Sequence, residues 1–356
     1  MTVSDIAGAQ MGAVDPRTGL GALDALRASW RSALAGRNIR VALADGEDPR
    51  VIAASARLSD SGTVVPYLIG RQKVIQDVAA RSGISPPPGS LIVDTASADE
   101  AEPVAAVMRG VLSGRFTQAQ IAELLADPLY VATGLLRMGS VDACVGGASR
   151  PTAEVLRAGL RLIGTAPGTQ TVSSCFLMVL PSGKLVAYGD CAVIPVPDDQ
   201  QLAEIGVATA VTYRSLTGER PVVAMLSFST MGSAAHAEVD KVRRAAEIAR
   251  RLRPDLSIEG ELQFDTAFVA EIGARKAPGS AVAGRANVLI FPNLDAGNIG
   301  YKITERIGGA AALGPILQGF AQPVNDLSRG CSVDDIEFVA LASAVQAATA
   351  AAPLPE

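Results

Sequence analysis

The chain contains 356 residues, of which 49% are hydrophobic, and it carries a formal net charge of -5. This length favours two domains, and the apolar content excludes disorder over most of the sequence. Because no block of like charges occurs, the composition also excludes a broad basic surface for nucleic acid. Aromatic residues make up only 4% of the chain while Ala and Gly are abundant, which favours helices packed closely on a sheet.

The beginning of the chain is rich in glycine and weakly periodic, so we expect residues 1–25 to form a loose extension. It contains Asp5 and lacks both a basic leader and an apolar centre, so it does not resemble a signal peptide. Long uncharged runs occur later, but Gly, Pro and polar residues interrupt them or Ala dominates them, which indicates buried elements rather than membrane spans. We therefore expect a cytoplasmic protein with no membrane partner.

Short apolar strands alternate with helical segments from residue 39 onward. The predicted strands of this first half are 39–44, 63–69, 91–93 and 143–145. The predicted helices begin at 51 and 72, span 117–125 and 129–138, and run from Pro151 to Leu162. Such alternation is typical of βαβ units, and it predicts a mostly parallel sheet with helices on both faces.

The pattern changes after residues 165–168. Segments 172–180 and 185–188 flank a PSGK turn and predict a β-hairpin. Later strands are predicted at 222–227 and 288–291, and helices from 199 and over 235–252. We expect a three-layer α/β/α domain built from 26–167 and 309–356, with a second α/β domain inserted at 168–308.

The residue types exclude several kinds of catalytic machinery. The only histidine is His236 and no G-x-S-x-G motif occurs, which argues against a Ser-His-Asp triad. Neither a P-loop nor a strand-linked G-x-G-x-x-G motif is present. The four cysteines form no C-x-x-C pair, so a zinc site is not expected and the thiols should be reduced. Any chemistry must therefore use carboxylates, arginines, hydroxyls and backbone amides.

Phosphate can still be held where a turn of small residues leads into a helix N-terminus. Three segments of the predicted second domain have this character: 229–233, 277–280 and 295–298. Turn residues between elements are ordinary, so each segment alone is a weak indication. Their shared position next to apolar strands favours a common cleft.

The segment PVNDLSRGCSVDD, residues 323–335, gathers a hydroxyl, a guanidinium, a thiol and carboxylates before a predicted helix. Two interpretations stay open on spacing alone. Ser332 and Asp335 match a capping box, and a carboxylate in the first turn favours the helix dipole. The same residues could also form a catalytic site, since capping and catalysis are compatible, and Cys331 among them is a candidate for a reactive thiol.

Four segments resemble phosphate acetyltransferases. They are DKVRRAAEIAR, KAPGSAVAGRANVLIFPNLDAGNIGYK, GPILQGFAQPVNDLSRGCSVDDI and PTAEVLRAGLRLIGTAPGTQTVS. The resemblance extends from about residue 39 to the end. It implies the two-domain α/β fold of isocitrate and isopropylmalate dehydrogenases, an active site in the interdomain cleft and a homodimer.

The resemblance also implies roles for individual residues. Asp335 matches the base for the coenzyme A thiol, Arg329 the arginine that binds the phosphoryl group, and Ser328 the serine that stabilises the transition state. The implied substrate-binding residues are Arg157, Arg109 with Arg115 as its alternative, Ser229, Thr230 and Gly232. Asn298 in the segment 295–298 and Cys331 in the segment 323–335 are further substrate-binding candidates, from their positions in those segments. Met231 stands where many relatives have lysine, so a cationic role is not expected there.

The mechanism so implied is direct attack of the coenzyme A thiolate on acetyl phosphate, with acetyl-CoA and phosphate as products and without a metal or redox cofactor. A simple thiol has a pKa of about 8.5 and needs a base at neutral pH. One alternative is a phosphate butyryltransferase, which differs in pocket volume. Others are a non-catalytic acyl-CoA sensor and a dehydrogenase of the same fold, the latter disfavoured because no metal-binding aspartate motif or nucleotide fingerprint occurs.

Overall fold

The computed structural model describes residues 16–85 and 88–350. Its strands are β1 Arg40–Leu43, β2 Val65–Gly70, β3 Ile92–Asp94, β4 Ala143–Gly146, β5 Ser173–Val179, β6 Leu185–Gly189, β7 Val222–Leu226, β8 Ser257–Leu262, β9 Val288–Ile290, β10 Ala311–Gln318 and β11 Val324–Asp326. Its helices are α1 Pro16–Leu34, α2 Pro49–Asp60, α3 Gln72–Arg81, α4 Ala98–Leu112, α5 Gln118–Leu125, α6 Pro128–Arg137, α7 Thr152–Leu162, α8 Asp199–Thr217, α9 Ala237–Leu252, α10 Phe264–Phe268, α11 Ala270–Lys276, α12 Leu294–Arg306 and α13 Val333–Ala350.

The first sheet has five strands in the order β11-β4-β1-β2-β3, and every pairing is parallel. β11 comes from the far end of the sequence and pairs with β4, Val324 lying opposite Cys144. Because parallel strands end at one edge of a sheet, the loops that follow β1, β4 and β11 meet there. These loops contain Asp45, Arg150 and Ser328, so this edge positions most of the polar groups described below.

The second sheet has six strands in the order β10-β5-β6-β9-β7-β8. β5 and β6 form the predicted antiparallel hairpin, and β10 pairs antiparallel with β5. The register of that last pair shifts between Leu313 and Ile316, around Gly314 and Pro315. β10 thus joins the sheet of the inserted segment although it follows the predicted boundary at residue 308; the division into domains itself stays a prediction.

The beginning of the chain differs from the predicted loose extension. Residues 1–15 lie outside the described part, but residues 16–25 are helical and form the first turns of α1. Glycines in this segment lower its intrinsic helix propensity, but tertiary contacts stabilise the helix. The buried Trp30 lies 4.8 Å from the Phe338 ring and donates to the carbonyl of Leu216 at 2.5 Å.

Helix α13 joins the two halves. It packs against α1 and α2 on one side and α8 on the other, and it also contacts β4 and β10. Its side chains from Ile336 to Ala342 are all buried, including that of the polar Glu337. The N-terminus of this helix therefore has a fixed position relative to both sheets. Among the described helices, none has both the length and the apolar character needed to cross a membrane.

Candidate active site

A cavity of about 710 Å³ lies between the two sheets. One wall consists of the start of α7, the loop after β11 and the first turns of α13. The opposite wall consists of Phe176 on β5, Ala192 and Val193 after β6, the C-terminal half of α12 and the irregular part of β10. Of the residues predicted from sequence, this cavity brings together Ser328, Arg329, Cys331 and Asp335.

Asp335 lies in the first turn of α13 and forms the predicted capping box with Ser332. Its Oδ2 accepts from the Ser332 N–H and hydroxyl, both at 2.8 Å, and its own N–H donates to Ser332 Oγ at 3.2 Å. The other oxygen, Oδ1, accepts no hydrogen bond from the residues that the structure describes. The side chain is exposed and lines the cavity. One oxygen therefore caps the helix while the other is open to a substrate proton.

Ser328 and Arg329 lie on the loop between β11 and α13, and both are exposed. Ser328 Oγ accepts from the Gly330 N–H at 3.2 Å, which orients the hydroxyl oxygen and leaves its proton to be donated. The Arg329 guanidinium forms no ion pair within the described part of the chain. A hydroxyl donor and a cation without an ion pair among the described residues thus lie on the loop that precedes the open carboxylate of Asp335.

Arg50, which the sequence analysis missed, holds this loop in place. Its Nη1 donates to the carbonyls of Arg329 and Cys331, both at 2.9 Å, and its Nη2 donates to the carbonyl of Ala148 at 2.8 Å. Asp48, the N-cap of α2, fixes the guanidinium through further bonds of 3.0 and 2.7 Å. The DGEDPR segment was interpreted only as a turn before α2, and the distant loop that it holds leaves no local sequence signal.

Cys331 is buried at the same loop. Burial raises the pKa of its thiol to about 11, although the neighbouring Arg50 guanidinium acts in the opposite direction. A thiol with this pKa is almost entirely protonated at neutral pH, and the thiolate is the reactive form. The geometry therefore does not favour the reactive-thiol hypothesis for Cys331, whereas its position on the cavity wall is compatible with substrate contact.

Asp326, Thr152 and Arg150 form the polar wall next to this loop. Asp326 is 1% exposed, and its Oδ2 accepts from the Thr152 hydroxyl at 2.5 Å. Burial raises the pKa of Asp326 to about 7, and the carboxylate of Asp45 adds to the effect. Arg150 pairs with Asp127 at 2.9 Å and with Asp45 at 3.6 Å, so its charge is shared between two carboxylates. Asp326 lies in the predicted site segment 323–335, but its sequence position indicated no role for it.

The predicted arginines of the first half lie outside this cavity lining. Arg157 is on α7, exposed and without an ion pair among the described residues. Arg109, in the last turn of α4, pairs with Glu102 at 2.5 Å. Its alternative Arg115 donates to the carbonyl of Val111 at 3.1 Å. Their substrate-binding roles stay predictions.

The predicted hydroxyl-glycine turn follows β7 and also lies outside the cavity lining. Ser229 Oγ donates to the buried carboxylate of Glu261 at 3.0 Å, and the Gly232 N–H donates to the same oxygen at 2.7 Å. Thr230 Oγ1 accepts from the Gln263 N–H at 3.0 Å. Met231 in this turn has a φ of +47° and an exposed side chain. The turn is thus held by internal bonds, and its role toward a substrate stays a prediction.

Asn298 does not line the cavity but supports its opposite wall through a backbone contact. It lies on α12, and its Nδ2 donates to the carbonyl of Cys191 at 3.0 Å, next to the cavity-lining Ala192 and Val193. The same helix places Tyr301, stacked at 4.0 Å on Phe176, in the cavity wall. It also places Arg306 there, a cation with an 80% exposed side chain, which the sequence analysis did not single out.

Metal ligands are not grouped in the described part of the chain. Within residues 16–85 and 88–350, no three His, Cys, Asp or Glu side chains lie close enough together to hold a metal ion. The four cysteines are free and buried. The expected absence of a metal or redox cofactor stays a prediction.

This arrangement combines an open carboxylate oxygen, a hydroxyl donor and an unpaired guanidinium. A carboxylate can accept a proton from a nucleophile, and a guanidinium binds phosphate oxygens through charge-assisted bonds. A hydroxyl can stabilise negative charge that develops on a carbonyl oxygen. The site is therefore equipped for transfer of an acyl group between a protonated nucleophile and a phosphate.

Known proteins with this sequence pattern carry out this type of chemistry. The sequence model of the phosphate acetyl/butaryl transferase family matches residues 27–344. The chain is 43% identical over 337 residues to the phosphate acetyltransferase of Clostridium acetobutylicum, covering 91% of this chain and 99% of that protein. A solved phosphotransacetylase from Streptococcus pyogenes superimposes with a TM-score of 0.87 at 41% identity, covering 91% of this chain and 98% of that one.

A more distant structure bears on the fold alone. A 4-hydroxythreonine-4-phosphate dehydrogenase from Burkholderia phymatum aligns with a TM-score of 0.50 at 16% identity, covering 87% of this chain and 98% of that one. Together with the phosphotransacetylase structure, it confirms the predicted dehydrogenase-like α/β fold class. On the sequence match over nearly its whole length, the chain belongs to the phosphate acetyl/butaryl transferase family.

Proposed function

We propose that this protein catalyses the reversible reaction of acetyl-CoA with phosphate to give acetyl phosphate and coenzyme A. The observation that carries the proposal is the shared cavity of Ser328, Arg329 and Asp335, in which proton acceptor, hydroxyl donor and anion-binding cation lie together. The family match over residues 27–344 supports it.

The roles follow from the charges and bonds of each group. Asp335 Oδ1 accepts the proton of the coenzyme A thiol, and the thiolate attacks the carbonyl carbon of acetyl phosphate. Ser328 donates to the carbonyl oxygen as charge develops, and the carbon–oxygen bond to phosphate then breaks. Arg329 binds the departing phosphate, for which a planar guanidinium offers paired N–H donors. A positioned base of this kind contributes on the order of 10²–10⁴ in rate.

The assay that tests the proposal follows phosphate- or arsenate-dependent consumption of acetyl-CoA by the purified protein. Butyryl-CoA serves as the matched comparison, because it differs only in acyl length. We expect acetyl-CoA to be consumed with the larger kcat/KM. Turnover of neither thioester would overturn the enzymatic function, and preference for butyryl-CoA would change the substrate but keep the reaction class.

We further propose that the protein acts in the cytoplasm as a homodimer, using coenzyme A and acetyl phosphate as substrates and no metal or redox cofactor. Four free buried cysteines are compatible with a reducing compartment. Ile299 and Ile303 on α12 and Ile307 at its C-cap are exposed at intervals of four, an apolar stripe suited to a second copy. Sedimentation equilibrium should give twice the chain mass, and a monomer at micromolar concentration would contradict the dimer. Activity that persists after treatment with a chelator is expected.

A further inference from the structure

Asp326 is a buried carboxyl in the cavity wall that the proposed reaction does not use. Its Oδ2 accepts from the Thr152 hydroxyl, while Oδ1 is buried without a hydrogen-bond partner among the described residues. The backbone of Gly147 packs directly on Oδ1, and a Cβ at that glycine would collide with it. An unpartnered buried carboxyl oxygen is costly, so its presence calls for a role.

The position of Asp326 links the loop that carries Arg329 to the start of α7. It is the last residue of β11, two residues before Ser328 and three before Arg329. Through Thr152, the first residue of α7, it holds the N-terminal turn of that helix, which has no side-chain cap from Pro151. Thr152 and Arg329 line the same cavity. The carboxyl thus ties two chain segments that are distant in sequence.

We propose that Asp326 is a positioning residue for the acyl transfer, which through Thr152 keeps the first turn of α7 beside Arg329 and is neutral while a phosphate group occupies the cavity. The proposal rests on the proposed function. Beyond that function, we infer that the protein takes up a proton when it binds the anion. Asp326, a carboxyl outside the reacting groups, holds this proton.

The surrounding charges support the neutral state. Asp45, in the loop after β1, adds a negative charge nearby, and burial together with this charge raises the pKa of Asp326 to about 7. Arg150, which precedes α7, pairs with Asp127 at 2.9 Å and with Asp45 at 3.6 Å, and it forms no ion pair with Asp326 among the described residues. Arg329 and Asp335 face the same cavity, as do Glu305 and Arg306, which pair with each other at 3.4 Å. β10 contributes no charged side chain.

The sign of the pH dependence follows from this arrangement. A bound phosphate group is negative, so it disfavours the ionised form of Asp326 and raises its pKa further. Anion binding is then coupled to proton uptake at this carboxyl. As pH rises through about 7, the free protein loses that proton and anion binding must restore it, so affinity for the anion falls.

The experiment compares wild type with Asp326→Asn, which keeps an acceptor for Thr152 but cannot ionise. The KM for acetyl phosphate is measured from about pH 6 to about pH 8, and titration of the ligand itself cancels in the comparison. We expect this KM to rise about tenfold more in wild type than in Asp326→Asn, whereas the KM for coenzyme A follows one profile in both. Identical acetyl phosphate profiles in the two proteins would overturn the proposal.

Two further variants separate charge from positioning. Thr152→Val removes the held hydroxyl and leaves Asp326, so we expect the KM for acetyl phosphate at about pH 6 to rise about tenfold. Because the Thr152 hydrogen bond lowers the pKa of Asp326, the pH dependence of this KM should also move to higher pH in the variant. A KM within about twofold of wild type would remove the positioning role.

Asp142→Asn is the matched control, since this half-buried carboxyl precedes β4 at the opposite edge of the sheet and pairs with Arg40. We expect the KM of Asp142→Asn for acetyl phosphate to vary with pH as in wild type. Loss of this pH dependence in the control would assign the effect to general destabilisation.

A readout independent of turnover distinguishes this proposal from the proposed function. The increase in Tm caused by inorganic phosphate is measured for wild type and Asp326→Asn at both ends of the pH range. We expect the increase to shrink with pH more in wild type than in the variant. If wild type transfers no acetyl group yet shows this difference, the proposed reaction fails and the role of Asp326 in anion binding stands. An equal decrease in both proteins would overturn it.

Discussion

At the scale of single residues, Asp335 serves two purposes with two oxygens. Oδ2 completes the capping box with Ser332, as the spacing predicted, and Oδ1 is open to the cavity. The sequence analysis held the cap and the base to be compatible interpretations of one carboxylate. The geometry gives the reason, because the capping bonds occupy only one oxygen of the carboxyl group.

Asp335→Asn tests the base directly. The amide oxygen can still accept from Ser332, but the group no longer takes a proton at neutral pH. We expect turnover to fall more than about tenfold, the low end for a general base, with little change in Tm. Kinetics with saturating substrates and a thermal melt measure the two effects.

Ser332→Ala is the matched control for this prediction. It removes the capping hydroxyl and keeps the carboxylate, so it should cost about 0.5–2 kcal/mol in the free energy of unfolding while most of the turnover remains. The opposite pattern, in which Asp335→Asn lowers only Tm and Ser332→Ala lowers turnover, would restrict Asp335 to a capping role.

Arg329→Gln tests the anion-binding cation. The variant keeps a polar side chain but loses the charge and the paired donors of the guanidinium. We expect the KM for phosphate to rise about tenfold or more, with a smaller change in the KM for coenzyme A. Initial rates with each substrate varied separately measure this difference. Unchanged KM and kcat for phosphate would remove Arg329 from the site.

At the scale of elements, the loop from Ser328 to Cys331 owes its position to Arg50 on α2. One guanidinium joins two carbonyls of this loop to the carbonyl of Ala148 after β4. Arg50→Lys keeps the charge but cannot span three acceptors. We expect kcat to fall about tenfold or more because the reacting groups lose their fixed geometry. Steady-state kinetics measure it.

Arg57→Lys provides the control for the Arg50 prediction. Arg57 lies on the same helix and pairs with Asp334 at 2.6 Å, but both side chains are more than half exposed. Exposed pairs contribute about 0–1 kcal/mol, so this variant should have near-normal kinetics. Equal losses of kcat in the two variants would assign the effect to α2 in general rather than to the carbonyl contacts of Arg50.

Most strands and helices were predictable because their apolar patterns are local. β8 was missed, since its sequence SIEGEL contains Glu259 and Glu261, whose carboxylates accept from Ser280 and Gly232 in distant turns. α4 was missed because Pro103 and several acidic residues interrupt its pattern. Tertiary partners stabilise both elements, and no local pattern reports such partners.

The site shows the same limit. The segment 323–335 could be found because its polar residues are contiguous, and the family resemblance supplied roles for Ser328, Arg329 and Asp335. Arg50 and Asp326 could not be assigned, because their roles arise from contacts across more than a hundred residues of sequence. The arrangement of parallel strand ends brings these groups together, which spacing along the chain does not reveal.

At the scale of the whole molecule, the cavity is bounded by elements of both sheets, so a bound ligand should tie the two halves together. We expect Arg329 on one wall and the exposed Arg306 on the other, which pairs with Glu305 at 3.4 Å, to be separate anchors for a polyanionic ligand such as coenzyme A. At a concentration of about 100 Kd, coenzyme A should add about 2.7 kcal/mol to the free energy of unfolding.

Thermal melts with and without coenzyme A measure this stabilisation. We expect Arg306→Gln to have a wild-type Tm without ligand, because its side chain is 80% exposed, but a smaller increase in Tm with coenzyme A. An increase equal to that of wild type would place the ligand on the Arg329 wall alone. A lower Tm without ligand would indicate a structural role for Arg306.

The most direct test of the central claim is the initial rate of acetyl-CoA formation over a matrix of acetyl phosphate and coenzyme A concentrations. Transfer within one ternary complex, with Asp335 as the base, predicts rapid formation of thioester and reciprocal plots that intersect. Parallel plots would indicate a covalent acetyl-enzyme and contradict direct attack by the thiolate. Absence of thioester formation would contradict the proposed function itself.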